Sequence, residues 1–364
     1  MRRVSAESLK SFTETLIEEL GASSEVAEDV AESLVTANLR GHNSHGVARV
    51  PMYAEMIEDG AIDPTATPEV TNESETTANV DGNLLFGQSV GRTAVEVGVE
   101  KATESGVGVV GIKDATHLGR IGEWAEHATA NELLFGAFVN TQGGAQTVAL
   151  PGSADRLLST NPISFGVPTF DALAFDIVLD MAMSQVANGK IYERAAAEKD
   201  LPAEWTVTED GGSRIDPSGF QEREDEGAAT LPLGGRTSGY KGFGLAVIAE
   251  LMAGYVGDGI VAGETDPEWF NNAASFVFID PLQFTTEERI EQRVTAFADR
   301  VHSATYRPEI PAGDAAKGDR ALLPGEPEHE TTSDRRENGV PLPENTITEL
   351  NEFAAENGID QRIE

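Results

Sequence analysis

Apolar residues recur along this chain with two periods, and these periods predict its helices and strands. Residues 5–40 carry the spacing of two amphipathic helices that are split at Gly21, with Ser5 and Ser24 as N-caps. Later helices are predicted over residues 49–59, 88–105, 123–131, 184–197, 242–254, 285–303 and 344–357. Strands, rich in β-branched residues, are predicted over 107–112, 133–140, 174–181 and 274–279, with shorter ones within 62–86.

The order of these elements is mixed α/β without a clean βαβ alternation. A Gly-x-Gly-x-x-Gly match at residues 106–111 lies at a helix end and inside a strand. In a dinucleotide-binding fingerprint the glycines form the turn between strand and helix, so we reject this match. The length of 364 residues favours more than one lobe, and we predict regions 1–75, 76–310 and 311–364.

For three segments, composition predicts whether the segment is buried, covers a site or lies on the surface. The helix over 242–254 is strongly apolar and is expected to be buried. Residues 200–238 are loop-rich and are expected to cover a site. Residues 307–343, rich in proline, glycine and charge, are expected to wrap the surface.

The formal net charge is −36, from 62 acidic and 26 basic residues, and the acid is spread along the chain. Such self-repulsion destabilises a compact chain at low salt, whereas about 1 M salt screens charges beyond roughly 3 Å. We therefore expect adaptation to high salt. A nucleic-acid partner is not expected, because no basic surface is available to neutralise phosphates.

Further classes are excluded or disfavoured by composition. The absence of cysteine excludes disulfides and thiolate metal sites. No apolar run reaches the roughly 18 residues of a membrane span, so no membrane partner is expected. The first residues lack the apolar core of a signal peptide, which favours the cytoplasm.

The segment 40–53 places Ser44, His45, Arg49 and Tyr53 close together in sequence, with His42 beside them. A histidine can exchange protons near neutral pH, and an arginine fork can bind a carboxylate through two hydrogen bonds. The alternatives are that the histidines cap a helix and that the arginine makes a surface ion pair. A zinc site has little support, because no third ligand is nearby in sequence.

His117 lies just after the predicted strand 107–112 and before two glycines and a helix. Polar groups at the end of a buried strand are where α/β enzymes place catalytic residues. A hydrogen-bonded loop histidine without a catalytic role is the alternative.

Five further positions could bind an anion or a cofactor. Thr160 and Asn161 lie in a hydroxyl-rich turn that can bind phosphate or nicotinamide, or can be an ordinary Asn-Pro turn. Asp180 ends a predicted strand, where it could bind a ribose hydroxyl or cap a helix. Lys190 and Lys241 each neighbour glycine in a chain with few lysines, which suggests an anion contact or helix-end chemistry.

The ordered set of these motifs resembles the malate/L-lactate dehydrogenase family of the second type, which includes ureidoglycolate and sulfolactate dehydrogenases and cyclic imino-acid reductases. The resemblance runs from about residue 5 to 310, and Ser159 stands where a glycine is usual. It rests on Arg-Gly-x-x-Ser-His-Gly-x-x-Arg-x-x-x-Tyr, His-x-Gly, Thr-Asn-Pro, Leu-Asp-Met-Ala, Gly-Lys and Gly-x-Lys-Gly-x-Gly-Leu.

The resemblance implies a nicotinamide-dependent oxidoreductase with a non-Rossmann fold built on a mixed or antiparallel sheet. It also implies a homodimer whose active site lies between the cofactor domain, 76–310, and the helical region 1–75. Family members place a cofactor-contacting turn after Phe138, so Gln142 joins the cofactor candidates.

We therefore predict hydride transfer between NAD or NADP and C2 of a small 2-hydroxy acid, without a metal. His117 is the predicted general base, and Ser44, His45, Arg49 and Tyr53 form the substrate pocket. The alternatives are a cyclic imino-acid reductase, a non-catalytic binding protein, and a metal-assisted lyase or hydrolase. Sequence does not choose between NAD and NADP.

Overall fold

The computed structural model describes residues 1–142, 146–196, 198–218, 220, 227–264, 269–310, 316–317 and 320–363. The helices are α1 Ala6–Glu19, α2 Ser24–Arg40, α3 Val50–Glu58, α4 Gly87–Ser105, α5 Ile121–Thr129, α6 Asn188–Ala196, α7 Gly235–Gly257, α8 Glu287–His302, α9 Glu326–Asn338 and α10 Glu344–Glu356. The strands are β1 Arg2–Val4, β2 Glu69–Thr71, β3 Thr77–Asp81, β4 Val107–Ala115, β5 Leu134–Gln142, β6 Val148–Ala149, β7 Arg156–Leu158, β8 Ile163–Val167, β9 Ile177–Met181, β10 Thr206–Val207, β11 Ala229–Thr230, β12 Asn271–Ile279, β13 Ala316–Lys317, β14 Arg320–Ala321 and β15 Val340–Leu342.

A seven-stranded sheet in the order β2-β3-β4-β12-β5-β8-β9 forms the centre of the molecule. Its neighbouring strands are antiparallel except for the parallel pair β3 and β4. A parallel doubly wound sheet joins its neighbouring strands by helical crossovers throughout, whereas in this sheet one neighbouring pair, β3 and β4, is joined in that way, by α4. The mixed α/β, non-Rossmann fold class is therefore confirmed.

Glycines in β4 allow helices to approach both faces of this sheet. A Cβ on Gly108 would meet the backbone of α4, and one on Gly111 would meet the backbone of α7. Side chains three apart on a strand point to opposite faces, so α4 and α7 cover opposite sides of the sheet. Gly106 ends α4 with a φ of 80°. The rejected glycine motif thus serves helix termination and close packing.

The two ends of the chain meet. Strand β1 pairs antiparallel with β15, and α9 packs against α2. The apolar face of α1 and α2 joins α10 and the central sheet in one hydrophobic core, which includes Phe12, Leu34, Ile347 and Leu350. The predicted regions 1–75 and 311–364 are therefore in contact, and the three-region division itself stays a prediction.

Several predicted elements need correction. The N-cap of α2 is Ser23, not Ser24. Strand β9 begins at residue 177 rather than 174, and α6 begins at 188 rather than 184. In residues 184–187, which were predicted to be helical, the Ser184 hydroxyl donates to the carbonyl of Val186, 2.7 Å away. This local bond competes with helix formation.

The segment 307–343 was predicted to wrap the surface, and no regular element was predicted within it, whereas it contains α9 and β15. Helix α9 is almost wholly polar, and its buried positions include Glu326 and Thr332, so it has no apolar period to detect. Helix α7 is longer than predicted and is not buried all round: Tyr240, Ile248 and Tyr255 are exposed. Among the described helices, none is long and apolar enough to cross a membrane.

Candidate active site

The turn that follows α2 presents Ser44, His45 and Arg49. Gly41 ends α2 in the left-handed region with a φ of 96°. The Asn38 side chain then accepts a hydrogen bond from the backbone N–H of Val47 at 3.0 Å and fixes the turn. Two short 3₁₀ turns, Asn43–His45 and Val47–Arg49, follow directly. The sequence motif is therefore a rigid connection between α2 and α3.

His117 comes from the central sheet, two residues after β4 ends. The Thr116 hydroxyl accepts from the Gly87 N–H at 3.1 Å and donates to the Leu85 carbonyl at 3.0 Å. On the other side, the Asn272 carboxamide accepts from the Leu118 N–H at 2.9 Å. These bonds hold the His117 backbone in place.

The structure brings His45, Tyr53 and His117 together. The rings of His45 and His117 stack with centroids 5.5 Å apart, and Tyr53 Oη lies 2.8 Å from His117 Nδ1. Gln88 Nε2 donates to the same phenolic oxygen at 2.7 Å. Ser44 Oγ lies 3.2 Å from His45 Nδ1. The predicted pocket residues are thus neighbours in space, although they come from different elements.

Burial determines the charge of these groups. Loss of solvent, assisted by Arg49 and His45, lowers the pKa of His117 well below its usual 6.5. Burial, with smaller effects of Arg49 and His42, lowers the pKa of His45 to about 3. Burial raises the pKa of Tyr53 to about 12. Near neutral pH both imidazoles are uncharged and the phenol keeps its proton, so His117 has the charge that a general base requires before it takes up a proton.

The Arg49 guanidinium contacts neutral groups near its own turn. Its Nε donates to the Ser44 carbonyl at 2.6 Å, and its Nη1 lies 3.3 Å from the sulfur of Met52. Within the described part of the chain, no carboxylate forms an ion pair with Arg49, although the sequence holds 62 acidic residues. The remaining guanidinium donors are available to an anion, and the alternative of a surface ion pair receives no support.

Asn161 and Asp180 are engaged with the protein itself. Asn161 has a φ of 37°, and its side-chain amide donates to Glu250 Oε2 at 2.7 Å and to the Ala246 carbonyl at 3.1 Å. Asp180 Oδ2 accepts from the Gly122 N–H at 2.7 Å, so it caps α5 rather than the helix that follows it. Thr160 is half-buried beside them.

The other cofactor candidates lie near the surface. Lys190 is exposed at the beginning of α6, and the preceding Gly189 packs so closely on Ser44 that a Cβ would collide with its side chain. The N-terminus of α6 therefore adjoins the substrate turn. Lys241 is exposed on α7, with its ammonium 6.0 Å from the ring of Tyr240. Gln142 ends β5, and its side chain lies outside the described residues.

Sequence reasoning missed three polar residues that support the site. Gln88 contacts Tyr53, Asn272 binds the loop of His117, and Glu250 binds Asn161. A signal was present for Asn272 and Glu250, because each is a lone polar residue on a side of a strand or helix that is otherwise apolar, whereas Gln88 shares its side of α4 with Arg92 and gives no such signal. Such residues, when buried, are paired.

Metal binding was considered for His42 and His45. His42 Nε2 lies 3.3 Å from Glu328 Oε1, whereas His45 faces His117. No group of three histidine, aspartate or glutamate side chains suited to a metal occurs among the residues that the structure describes. The prediction that the reaction needs no metal stays a prediction.

An uncharged histidine, a second histidine stacked on it, and an arginine that has no acidic partner among the described residues form a candidate site for an anionic ligand. The chain belongs to the malate/L-lactate dehydrogenase family, whose model matches residues 4–351.

Individual relatives agree with this assignment. The malate/(S)-sulfolactate dehydrogenase of Methanothermus fervidus is 30% identical over 362 residues, or 98% of each chain. The crystal structure of malate dehydrogenase from Entamoeba histolytica matches with a TM-score of 0.91 and 26% identity, covering 99% of both chains. Δ1-piperideine-2-carboxylate reductase from Pseudomonas syringae pvar. tomato matches with a TM-score of 0.81 and 26% identity, covering 97% of this chain and all of that one.

Proposed function

We propose that the protein is a dehydrogenase that transfers a hydride between C2 of a small 2-hydroxy acid and a nicotinamide cofactor. The observation that carries the proposal is the unpaired guanidinium of Arg49 near the uncharged His117. A 2-hydroxy acid offers one group to each: a carboxylate for the guanidinium and a hydroxyl for the imidazole. Membership of the malate/L-lactate dehydrogenase family supports the same reaction.

In this proposal His117 exchanges the proton of the C2 hydroxyl. Nδ1 of His117 faces Tyr53, so the other ring nitrogen, Nε2, is the one that takes the proton during oxidation. In reduction the imidazolium returns that proton to the oxygen of the new hydroxyl. A bound nicotinamide ring accepts or supplies the hydride. The low pKa of His117 favours release of the proton after each oxidation.

Arg49, His45 and Ser44 bind and orient the substrate. The bond from Arg49 Nε to the Ser44 carbonyl holds the guanidinium plane, and two donors on one side can meet both carboxylate oxygens. The uncharged His45 stacks on His117 and can donate one hydrogen bond to the substrate. Tyr53 acts on the substrate through His117, since its hydroxyl is already bound to that ring.

The residues available to a nicotinamide cofactor partly fit the prediction. The N-terminus of α6, with Lys190, adjoins Ser44 and suits an anionic group, and Thr160 offers a half-buried hydroxyl. Asn161 and Asp180 would act by holding their backbone segments, because their side chains are bound within the protein. We retain Lys241 and Gln142 as candidates and leave the choice between NAD and NADP to experiment.

The test is the absorbance of each reduced nicotinamide in multimolar salt with oxaloacetate, pyruvate, sulfopyruvate and a cyclic imino acid. We expect at least one oxo acid to oxidise a reduced nicotinamide. A doubly anionic oxo acid should do so faster than pyruvate. The imino acid is included because one structural relative is named a piperideine-carboxylate reductase. If no member of the panel consumes either cofactor, a non-catalytic protein or a metal-assisted lyase or hydrolase becomes the better proposal.

We also propose a homodimer formed through the outer face of α7. This face exposes Tyr240, Leu245, Ile248 and Tyr255, and the one acidic residue of the helix, Glu250, is buried. Because each copy carries a net charge of −36, two copies can approach closely only where acid is absent.

Measurement of mass in solution tests this dimer. Ile248→Asp should give a monomer, whereas Phe297→Asp, a matched change at an exposed aromatic residue of α8, should leave the dimer intact. A monomeric unaltered protein in high salt contradicts the proposal.

Adaptation to high salt is proposed from the charge alone. Refolding yield should rise from dilute buffer to multimolar salt, because screening removes the repulsion between dispersed carboxylates. Full stability in dilute buffer would count against it. The cytoplasmic location and the division at residues 75 and 310 are kept as proposals from the sequence.

A further inference from the structure

Gln88 stands behind the proposed base at the end of a short hydrogen-bonded chain. Its Nε2 lies 2.7 Å from Tyr53 Oη, and that oxygen lies 2.8 Å from His117 Nδ1. Both Gln88 and Tyr53 are buried, at 1% and 0% exposed, so water does not compete for these bonds. The other end of the carboxamide, Gln88 Oε1, is buried and has no hydrogen-bond partner among the described residues.

The direction of this chain determines which nitrogen of His117 carries the proton. An amide nitrogen only donates, so Tyr53 Oη accepts from Gln88 and gives its own proton to Nδ1. A neutral His117 that accepts at Nδ1 has its proton on Nε2. This form has no lone pair facing the substrate, so it cannot act as the base.

Rotation of the carboxamide by half a turn reverses every bond in the chain. Gln88 Oε1 then accepts from Tyr53, Tyr53 accepts from His117 Nδ1–H, and Nε2 is free to take a proton. Either orientation of Gln88 makes one bond to Tyr53 and leaves the opposite amide end unpartnered. The two orientations therefore have similar hydrogen-bond energies, and a modest bias can choose between them.

We propose that Gln88 is a positioning residue whose carboxamide orientation selects the proton-bearing nitrogen of His117 and thereby switches the base on. The inference rests on the proposed role of His117. The imidazolium also carries a proton on Nδ1, so the orientation with Oε1 towards Tyr53 serves His117 before and after proton uptake. The opposite orientation, with Nε2 towards Tyr53, is a resting form.

Other charged and titratable groups around His117 oppose its protonation. Arg49 and His45 both lower the pKa of His117, and Glu123 acts on Tyr53. None of these groups distinguishes Nδ1 from Nε2 by a hydrogen bond. Gln88, through Tyr53, is the described residue that does so.

Two substitutions of similar size to glutamine distinguish the two orientations of the Gln88 carboxamide. Gln88→Glu keeps an acceptor for the phenol, whereas Gln88→Met removes both donor and acceptor. We expect Gln88→Met to lower kcat for oxidation by about tenfold, part of what loss of a general base costs, with KM for the acid unchanged. Gln88→Glu should retain kcat. Its added acceptor should raise the pKa of His117, so the decline of kcat for oxidation on the acidic side of the pH–rate profile should begin at a higher pH.

Nitrogen NMR of histidine-labelled protein reads the tautomer directly. The signal of His117 is assigned by its loss in His117→Gln. We expect Gln88→Glu to place the proton on Nδ1 of His117, and Tyr53→Phe to abolish this difference between Gln88→Glu and Gln88→Met. Thr93→Val, which removes a hydroxyl bond elsewhere on α4, is the control and should change neither readout.

An unchanged tautomer in all Gln88 variants, or full kcat in Gln88→Met, overturns the proposal. The NMR result does not depend on turnover. If no acid is oxidised but the tautomer responds to Gln88, the proposed function fails, and with it the role of Gln88 in activating a base, while the selection of the tautomer by Gln88 stands. If the acids are oxidised and the tautomer does not respond, the switch fails alone.

Discussion

Glu123 is an acid buried where ionisation is costly, and its removal should change how stability depends on pH. The residue is 2% exposed on α5. Burial raises the pKa of Glu123 from 4.5 to about 7, and this effect outweighs the Ser33 hydroxyl, 2.5 Å from Oε2, and the nearby Arg120. The native state therefore holds this proton more tightly than the unfolded chain does.

The sign and size of the effect follow from linkage. Below pH 4.5 the carboxyl is protonated in both states and carries no penalty. Between pH 4.5 and about 7 the unfolded chain releases the proton first, so native stability falls as the pH rises. At about 1.4 kcal/mol per pH unit, the loss reaches on the order of 3 kcal/mol. Glu123→Gln keeps the shape and lacks this titration.

Denaturant unfolding at one fixed multimolar salt concentration measures the effect from pH 4.5 to 8. The stability of Glu123→Gln relative to the unaltered protein should rise by roughly 3 kcal/mol across this range and level off above pH 7. Glu104→Gln, at an exposed position of α4, should give a difference that is independent of pH. A flat difference for Glu123→Gln would show that its carboxyl titrates normally and would refute the reasoning.

Three further predictions concern the site and its support. His117→Ala should lower kcat in both directions by roughly 10²–10⁴, and near-full turnover in a steady-state assay would remove it as the base. Arg49→Lys should raise KM for the acid about 10–100-fold, because a point charge does not replace the two-pronged contact, and an unchanged KM would make Arg49 structural. Glu250→Ala should lower the free energy of unfolding, measured in denaturant, by about 2–3 kcal/mol, because the Ala262 N–H loses its acceptor at 2.8 Å and the side-chain amides of Asn140 and Asn161 lose one bond each. A loss below about 0.5 kcal/mol would contradict this reasoning.

The sequence predicted helices and strands well where an apolar period is present. The amphipathic pattern of α1 and α2 and the β-branched run of β4 match the observed elements closely. The pattern failed at α9, whose buried positions are polar: Glu326 contacts Arg320 and lies 2.9 Å from the His302 ring nitrogen Nε2. A buried charge that is paired with a residue of another element, as Glu326 is with His302, adds nothing to the apolar periodicity by which a helix is recognised in sequence.

The residues of the candidate site also fall into two groups: those that sequence could indicate and those that only the fold identifies. His45, Arg49 and His117 could be named because each is a reactive type at a turn or strand end, and Tyr53 because it follows them in the same segment; the structure brings the four together. Their partners could not be named from sequence, since a buried Gln88 resembles any other helix residue until its neighbours are known. The side-chain directions of Asn161 and Asp180 also depended on tertiary contacts.

The buried polar residues that sequence reasoning missed connect the two halves of the proposed site. Asn272 accepts from the loop of His117 and donates to the Asn140 carbonyl at 2.9 Å, and the Asn140 side chain donates to Glu250 at 3.1 Å. Glu250 also accepts from Asn161 at 2.7 Å, in the turn expected to face the cofactor. Each of these four side chains is at most 6% exposed, so the bonds are not weakened by water. Hydride transfer requires donor and acceptor carbons to be held in a fixed relation, and this path of buried side chains and the Asn140 carbonyl fixes the proposed base relative to that turn.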